Sequence, residues 1–329
     1  MGSNPKRILL TGGAGFIGSH VAAALLRRGT ELSIVDNLDD FYAISRKRRN
    51  LREIGKPESY EFFAVDVRDK DALRKIAERV QPEIMIHLAA RAGVRPSIEQ
   101  PALYESVNVA GTLNLLEIAR EFRVQRLIFG SSSSVYGVTN IVPFCEDDLK
   151  TLPISPYAAT KLAGELMGYT YAHLYGLTII CLRFFTVYGP RQRPDLAIHK
   201  FTALIEAGRP IPVYGDGSMG RDYTYVDDIV AGVMASLEYS PEAKVPFEVF
   251  NLGNCHPVRL TELIALLEAA TGKKALQNHL PDQPGDVPIT WANIDKAKRL
   301  LGYSPQTSME QGLRNFVAWY RASLTDSEP

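Results

Sequence analysis

The chain has 329 residues, 46% of them hydrophobic, a length that suits one large α/β domain with a smaller one appended. Lysine plus arginine equals aspartate plus glutamate at 37 each, so no net positive field draws the chain to nucleic acid or to an anionic membrane. The lack of a signal peptide, of an apolar run of bilayer length, and of cysteine spacing that fits a metal site or disulfides predicts a reduced, cytoplasmic protein.

The first predicted strand, Arg7–Thr11, leads directly into a glycine-rich turn at residues 12–18 and an amphipathic helix that ends near Arg28. The glycines allow a tight turn, a close approach of the backbone to a pyrophosphate, and packing of the helix on the strand. Free N–H groups at the start of the helix then face the phosphates. This pattern predicts a dinucleotide site. The alternative is a structural turn that binds no nucleotide.

A second predicted strand, Glu31–Val35, ends at Asp36. A carboxylate at that position accepts hydrogen bonds from both hydroxyls of a ribose and repels a 2′-phosphate, so NAD is favoured over NADP. The basic run at residues 46–49 is predicted to be a solvated helix face rather than a phosphate site. In this part of the chain we assign to the cofactor Gly12, Gly15, Phe16, Ile17, Gly18, Asp36 and Asn37.

Strands and helices continue to alternate through residue 129 without a hairpin signal. Predicted strands cover residues 60–65, 83–88 and 126–129, and a long helix runs from Pro101 to Phe122. This alternation predicts a parallel, doubly wound α/β sheet that binds ligands at the carboxyl ends of its strands. Acidic or small residues at these ends are positioned to meet the adenine or the dinucleotide backbone, and they are Asp66, Val67, Leu88, Ala89 and Ala90.

A serine-rich stretch follows the fifth predicted strand, on the ligand side of the sheet. A hydroxyl of Ser132 or Ser134 is positioned to hold a substrate hydroxyl, although polar serines also simply terminate strands. The next predicted helix covers residues 157–176, so Tyr157 and Lys161 lie one turn apart on one face. A tyrosine, with an ordinary pKa of about 10, becomes a usable base at neutral pH when a lysine and a positively charged nicotinamide stabilise its phenolate.

The glycine-rich turn, the serine-rich strand end before a Val-Tyr-Gly triplet, and the pair Tyr157 and Lys161 resemble the extended short-chain dehydrogenase/reductase family, in particular its nucleotide-sugar epimerases and dehydratases. The resemblance covers nearly the whole chain. It implies an NAD-binding Rossmann domain over residues 1–185, with a returning segment near residues 221–253. A smaller α/β nucleotide-sugar domain would then cover residues 186–329.

The resemblance also implies a role for each matching residue. Tyr157 would be the acid/base of the reaction, and Lys161 would lower the pKa of Tyr157 and bind the nicotinamide ribose. Ser132 and Ser134 would hydrogen-bond the sugar, and Asn108 would brace the site through the backbone. The cofactor would be NAD, held tightly between turnovers.

Residues 182–196 look like the corresponding stretch of the UDP-glucuronate 4-epimerases. The resemblance implies that Thr186 and Arg193 lie near the substrate carboxylate, which a guanidinium binds in a planar, two-pronged geometry. Arg191 and Gln192 stand where that group has Trp-Gly, a departure that could reposition the anchor.

Other residues are assigned to the rest of the substrate. Arg95 is a second candidate for the anion, and the alternative for it is a surface arginine. The resemblance places Arg221 near the diphosphate and the loop with Gln283 and Asp286 near the nucleoside. It adds to the substrate residues Val213 and Tyr214.

The predicted reaction is NAD-dependent C4 epimerisation of a UDP-sugar, first of all UDP-glucuronate to UDP-galacturonate, through a 4-keto intermediate. A UDP-glucose or UDP-N-acetylglucosamine 4-epimerase is the alternative. A dehydratase or decarboxylase is less favoured, because such enzymes place carboxylates where this chain has Ser133 and Ser134. A dehydrogenase that releases NADH and a non-enzymatic dinucleotide sensor are further alternatives. The resemblance implies a homodimer through helices at residues 103–122 and 157–175.

Overall fold

The structure is a computed structural model that describes residues 6–138, 141–148, 152–281 and 287–325. The strands are β1 (Arg7–Thr11), β2 (Glu31–Val35), β3 (Tyr60–Phe63), β4 (Ile84–His87), β5 (Arg126–Ser132), β6 (Thr178–Phe184), β7 (Thr186–Tyr188), β8 (Ile211–Tyr214), β9 (Gly220–Tyr225), β10 (Phe247–Leu252), β11 (Pro257–Arg259) and β12 (Gln277–Leu280). The α-helices are α1 (Phe16–Arg27), α2 (Ile44–Ile54), α3 (Lys70–Val80), α4 (Val94–Glu99), α5 (Pro101–Glu105), α6 (Gly111–Glu121), α7 (Pro156–Tyr175), α8 (Ala197–Glu206), α9 (Val226–Ser236), α10 (Leu260–Thr271), α11 (Asp295–Leu301) and α12 (Met309–Thr325).

Seven parallel strands form the central sheet, in the order β10-β6-β5-β4-β1-β2-β3. The predicted parallel, doubly wound sheet is therefore confirmed. The chain builds outward from β1 to β3 and then returns to the other side of β1 with β4. In such sheets the crevice at the reversal point, outside the carboxyl ends of the strands, is where ligands bind.

Helices cover both faces of this sheet because its strands are apolar on both sides. Successive residues of a strand point to opposite faces. Ile8 and Leu10 of β1 accordingly belong to the hydrophobic core that includes α1 and α9, whereas Leu9 belongs to the core that includes α3 and α6. Each face thus buries its own core, and the sheet is a rigid base for the loops at its carboxyl edge.

The second half of the chain adds a smaller layer and also returns to the central sheet. β11, β9 and β7 form a three-stranded sheet, β12 pairs with β8, and α10 packs against α8 and α12. β10, by contrast, lies beside β6 at the edge of the central sheet. Within the described part of the chain, no helix is long and apolar enough to cross a membrane.

Two details depart from the sequence predictions. The helix predicted from Pro101 to Phe122 contains one π-helical turn, Ser106–Ala110, between α5 and α6. The basic run at residues 46–49 lies on α2 as predicted, but the expectation that it is a solvated face is wrong for Lys47, whose side chain is buried.

Candidate active site

A cavity of about 470 Å³ opens at the carboxyl ends of β1, β2, β4 and β5, within the size range of small-molecule sites. It gathers residues that the sequence assigned to cofactor, catalysis and sugar. Those that line it are Gly12, Gly15, Phe16, Ile17, Gly18, Asp36, Asn37, Asp66, Val67, Leu88, Ala89, Ala90, Ser132, Ser134, Tyr157, Lys161, Thr186 and Arg193.

The glycine-rich turn is too tight for side chains. Gly12 has φ +76°, and a Cβ on it would lie 2.6 Å from the backbone nitrogen of Ala89. A Cβ on Gly18 would lie 2.1 Å from the carbonyl oxygen of Gly12, so helix α1 packs directly on the turn. A Cβ on Gly15 would lie 3.1 Å from the carbonyl oxygen of Gly12 and would meet no other atom within 4 Å. Gly15, Phe16 and Ile17 line the cavity, so the N-terminus of α1 faces it, as binding of a pyrophosphate requires.

Asp36 lies buried at the end of β2. Its carboxylate accepts hydrogen bonds from the backbone N–H of Ala14 at 3.1 Å and of Leu38 at 2.9 Å. Burial raises its pKa, and the charge of Lys47 opposes that shift. Asp66 is different: hydrogen bonds from the Arg68 side chain, the largest cause, lower its pKa to about 2. Burial thus has the largest effect on the pKa of Asp36, at the end of β2. The Arg68 side chain has the largest effect on the pKa of Asp66, near the end of β3.

The start of α7 places the predicted acid/base in the cavity. Ser155 caps the helix by accepting a hydrogen bond from the N–H of Ala158 at 3.2 Å. Tyr157 follows in the first turn, and the Ser132 hydroxyl is near enough to influence its pKa. Burial raises the pKa of Tyr157, while Ser132 and the charge of Arg193 act in the opposite direction.

Lys161 lies one turn further along α7 and is also buried. Its ammonium donates a hydrogen bond of 2.7 Å to the carbonyl oxygen of Gly130 and lies 5.0 Å from the centre of the Phe129 ring. Burial lowers the pKa of Lys161 to about 8. The charge that opposes the rise in the pKa of Tyr157 comes from Arg193, on a different element.

Asn108 does not line the cavity but supports it from the π-helical turn. Its side-chain nitrogen donates to the carbonyl oxygen of Arg91 at 3.0 Å and to the hydroxyl of Thr160 at 3.0 Å. Its side-chain oxygen accepts from the N–H of Arg91 at 2.8 Å. One buried amide therefore ties the loop after β4 to α7, and π-helical turns of this kind recur at functional sites.

The loop after β7 directs three consecutive side chains to different places. Arg191 donates to the carboxylate of Glu53 on α2 at 2.9 Å, and Gln192 is buried and donates to a backbone carbonyl. Arg193 enters the cavity and makes a two-pronged pair with Asp195, at 3.0 Å and 2.6 Å. The two residues that depart from the expected Trp-Gly thus point away from the cavity and leave Arg193 in it.

The remaining predicted substrate residues lie elsewhere. The guanidinium of Arg95 stacks on the ring of Tyr214 at 5.5 Å, and Val213 is buried. Arg221 donates to the carbonyl oxygen of the preceding residue at 2.9 Å. None of these four lines the cavity around Tyr157. Gln283 and Asp286 lie outside the described residues.

The side chains that line the cavity without having been assigned from the sequence include Phe41, Tyr42, Lys47 and Arg91. The centre of the Phe41 ring is 5.1 Å from the guanidinium of Arg91 and 5.1 Å from that of Arg193. The buried hydroxyl of Tyr42 has no hydrogen-bond partner in the described chain. Two adjacent aromatic residues shortly after Asp36 were the signal that could have identified this loop.

Known proteins similar to this chain include several UDP-sugar 4-epimerases. A profile of the family described as GDP-mannose 4,6 dehydratase matches residues 9–316. The UDP-glucuronate 4-epimerase of Thermodesulfobacterium geofontis is 44% identical over 317 residues, 96% of each chain. UDP-glucuronic acid 4-epimerase from Bacillus cereus, solved with UDP-glucuronic acid and NAD, has a TM-score of 0.89 at 36% identity and covers 96% of this chain and 99% of its own. UDP-glucose 4-epimerase from Thermotoga maritima, solved with UDP-glucose, has a TM-score of 0.88 at 34% identity with the same coverage.

Proposed function

The chain belongs to the extended short-chain dehydrogenases/reductases that the GDP-mannose 4,6 dehydratase profile describes, and on that premise we propose that it is an NAD-dependent UDP-glucuronate 4-epimerase. The observation that carries the proposal is one cavity that joins the glycine-rich turn to Tyr157 and Arg193. A dinucleotide site, a proton-transfer group and a carboxylate anchor are thereby brought within reach of one sugar.

The residues present fit NAD. The open N-terminus of α1 would hold the pyrophosphate, Asp36 a ribose and Lys161 the nicotinamide side, while Lys47 lies in the same cavity beside Asp36. Bound NAD would supply the acceptor and donor of the hydride at C4 of the sugar.

Tyr157 would take the proton of the sugar 4-hydroxyl during oxidation and return one during reduction. Ser132, which lines the same cavity as Tyr157, would hold the same sugar oxygen in line with the phenol. Both faces of C4 must be presented in turn, so the sugar ring would rotate between the two steps while the UDP stays anchored. The overall reaction is redox-neutral, which explains why a retained cofactor suffices.

The choice of sugar rests on Arg193. A guanidinium in the cavity, which Thr186 also lines, matches a substrate carboxylate. One observation favours a second candidate, UDP-glucose: Asp195 already pairs with Arg193 and neutralises its charge. Ser133 and Ser134, at the end of β5, offer no carboxylate for eliminating water or for decarboxylation.

Incubation of the purified protein with UDP-glucuronate and, separately, UDP-glucose, without added NAD, tests the function directly. Anion-exchange chromatography should show UDP-glucuronate converted to a mixture with UDP-galacturonate. Conversion of UDP-glucose alone would mean that the substrate is a neutral sugar nucleotide and not a uronate. A requirement for stoichiometric NAD would indicate a dehydrogenase.

Three broader proposals accompany the enzyme. We propose a cytoplasmic location, supported by three cysteines that are all free. We propose a homodimer that associates through α6, which exposes Leu113, and α7, which exposes Leu166 and Tyr169. We also propose that residues 1–185, with a returning segment near residues 221–253, form the cofactor domain and that the rest of residues 186–329 forms the substrate domain.

A further inference from the structure

We propose that Asp195 is a specificity-determining residue, a carboxylate within the chain that competes with the substrate's carboxylate for the guanidinium of Arg193. The inference rests on the proposed function, because it concerns how a uronate is bound and released. The proposal gives a role to Asp195, which neutralises the charge of the carboxylate anchor Arg193.

The geometry of the pair is that of a bound carboxylate. Nε of Arg193 donates to one carboxylate oxygen of Asp195 at 3.0 Å, and Nη2 donates to the other at 2.6 Å. This edge of a guanidinium is one that binds a carboxylate through two parallel hydrogen bonds. A substrate carboxylate that approaches the same edge must therefore displace Asp195.

The two partners differ in how firmly they are held. The side chain of Arg193 is 16% exposed and stacks on Phe41, whereas that of Asp195 is 40% exposed. Asp195 can therefore turn outward into water, while the guanidinium stays in the cavity. Only Pro194 separates the two residues, so Asp195 always remains near enough to return.

Charge balance gives the competition its importance. The cations that line the cavity on this side are each matched by an acid: Arg91 is paired with Asp39, and Arg193 with Asp195. A uronate makes a full charge-assisted contact with one of these arginines only where the paired aspartate moves away from it. A neutral sugar needs no such release, and its affinity is independent of Asp195.

The competition has a cost and a benefit for a uronate. The apparent affinity is reduced by the fraction of Arg193 that Asp195 occupies. In return, Asp195 can replace the substrate carboxylate on Arg193 when the sugar rotates, so that no buried guanidinium is left unpaired during that step. Removal of Asp195 should therefore tighten binding of the uronate and slow its turnover.

The test compares Asp195→Asn with the unaltered residue, both in a Tyr157→Phe background that prevents turnover. Calorimetry should show UDP-glucuronate bound about fivefold more tightly by the Asp195→Asn protein, the gain expected from removing one partly exposed ion pair. The affinity for UDP-glucose should stay the same. With Tyr157 intact, Asp195→Asn should lower both KM and kcat for UDP-glucuronate.

Two variants serve as controls. Asp195→Glu keeps a competing carboxylate and should behave like the unaltered protein. Asp40→Asn removes an exposed negative charge next to Phe41 and reports the effect of net charge alone. Weaker binding of UDP-glucuronate by Asp195→Asn, or an equal change for both sugars, would mean that Asp195 merely positions Arg193 and would overturn the inference, as would the absence of measurable uronate binding. Turnover of UDP-glucuronate by the unaltered enzyme tests the proposed function separately.

Discussion

Burial opposes the charged form of both ionisable groups at the start of α7. It raises the pKa of Tyr157 and lowers that of Lys161 to about 8. The groups that favour a phenolate lie on other elements: Ser132 at the end of β5 and Arg193 on the loop after β7. The acid/base function proposed for Tyr157 therefore depends on residues that only the folded chain brings together.

Removal of the phenol should abolish catalysis without loss of binding. Tyr157→Phe is expected to lower kcat by about a hundredfold or more, the usual contribution of a positioned acid or base, and to change the affinity for UDP-glucuronate by less than about twofold. Steady-state kinetics and calorimetry measure the two quantities. Tyr169→Phe, on the exposed side of the same helix, is the control. A variant that retains most of its activity would remove Tyr157 from the mechanism.

Lys161 should make stability depend on pH in a defined direction. Burial lowers its pKa from 10.5 to about 8, so between these values the unfolded chain binds more protons than the folded chain. The free energy of unfolding should therefore rise with pH through this window. The Lys161→Met protein lacks this rise. The free energy of unfolding of Lys161→Met minus that of the unaltered protein should therefore fall as pH increases.

Urea unfolding of both proteins across that pH window measures the difference in their free energies of unfolding. Ionisation of the many tyrosines contributes equally to both proteins and therefore cancels. Lys75→Met, at an exposed position of α3, controls for the loss of one positive charge. A difference between Lys161→Met and the unaltered protein that does not vary with pH would show that the buried ammonium is compensated in the folded state.

At the scale of elements, the loop after β7 is held from both sides. Arg193 enters the cavity, whereas Arg191, with φ of 64°, reaches back to Glu53 on α2. Helix α2 also carries Lys47, which lines the cofactor part of the cavity. The Arg191–Glu53 pair thus links an element of the cofactor site to the loop that carries the carboxylate anchor.

That link should be measurable by a double-mutant cycle of Arg191→Met and Glu53→Gln. The side chain of Arg191 is 13% exposed and that of Glu53 36%, so we expect a coupling of about 1 kcal/mol or less in the free energy of unfolding. The exposed pair of Arg79 and Glu61 is the control, with a coupling close to zero.

Arg191→Met should also raise KM for UDP-glucuronate more than for UDP-glucose. Equal KM changes for both sugars would contradict a role in holding Arg193.

The sequence predicted the elements well because their signals are local. The apolar strand before the glycine-rich turn, and Ser155 with Pro156 before α7, specify a strand and a helix within a few residues. The π-helical turn was not predictable in this way. It presents Asn108 to partners that are 17 and 52 residues away, and local periodicity carries no information on such contacts.

The site was predicted in part, for the same reason. The residues that ended predicted strands reached the cavity, as parallel strands require. Lys47 was missed because a lysine in a basic run is usually solvated, and its burial depends on tertiary contacts near Tyr42 and Asp36. The pairing of Arg193 with Asp195 was missed as well, because a motif specifies the residues and not which carboxylate they bind.

For the whole molecule, the return of β10 to the central sheet determines how the two proposed domains can move. β10 pairs along six residues with β6, the strand that leads to β7 and then to the loop with Arg193. The second half of the chain is thus fixed to the cofactor sheet at its edge. Rotation of the sugar is therefore expected to take place within a site of nearly constant shape, with the side chains around Arg193 as its movable part.

The outer surface of the molecule gives the last prediction, on its assembly. Leu166 on α7 is 62% exposed, and Leu113 on α6 is 41% exposed, so two neighbouring helices both present leucines to water. Helices that present apolar side chains in this way pair across a two-fold axis in many homodimers. Leu166→Glu should place charges face to face and convert the dimer to a monomer in analytical ultracentrifugation. Leu324→Glu, at a 54% exposed position near the end of α12, should leave the mass unchanged. If the unaltered chain sediments as a monomer, or if Leu166→Glu still sediments as a dimer, association through this face is wrong.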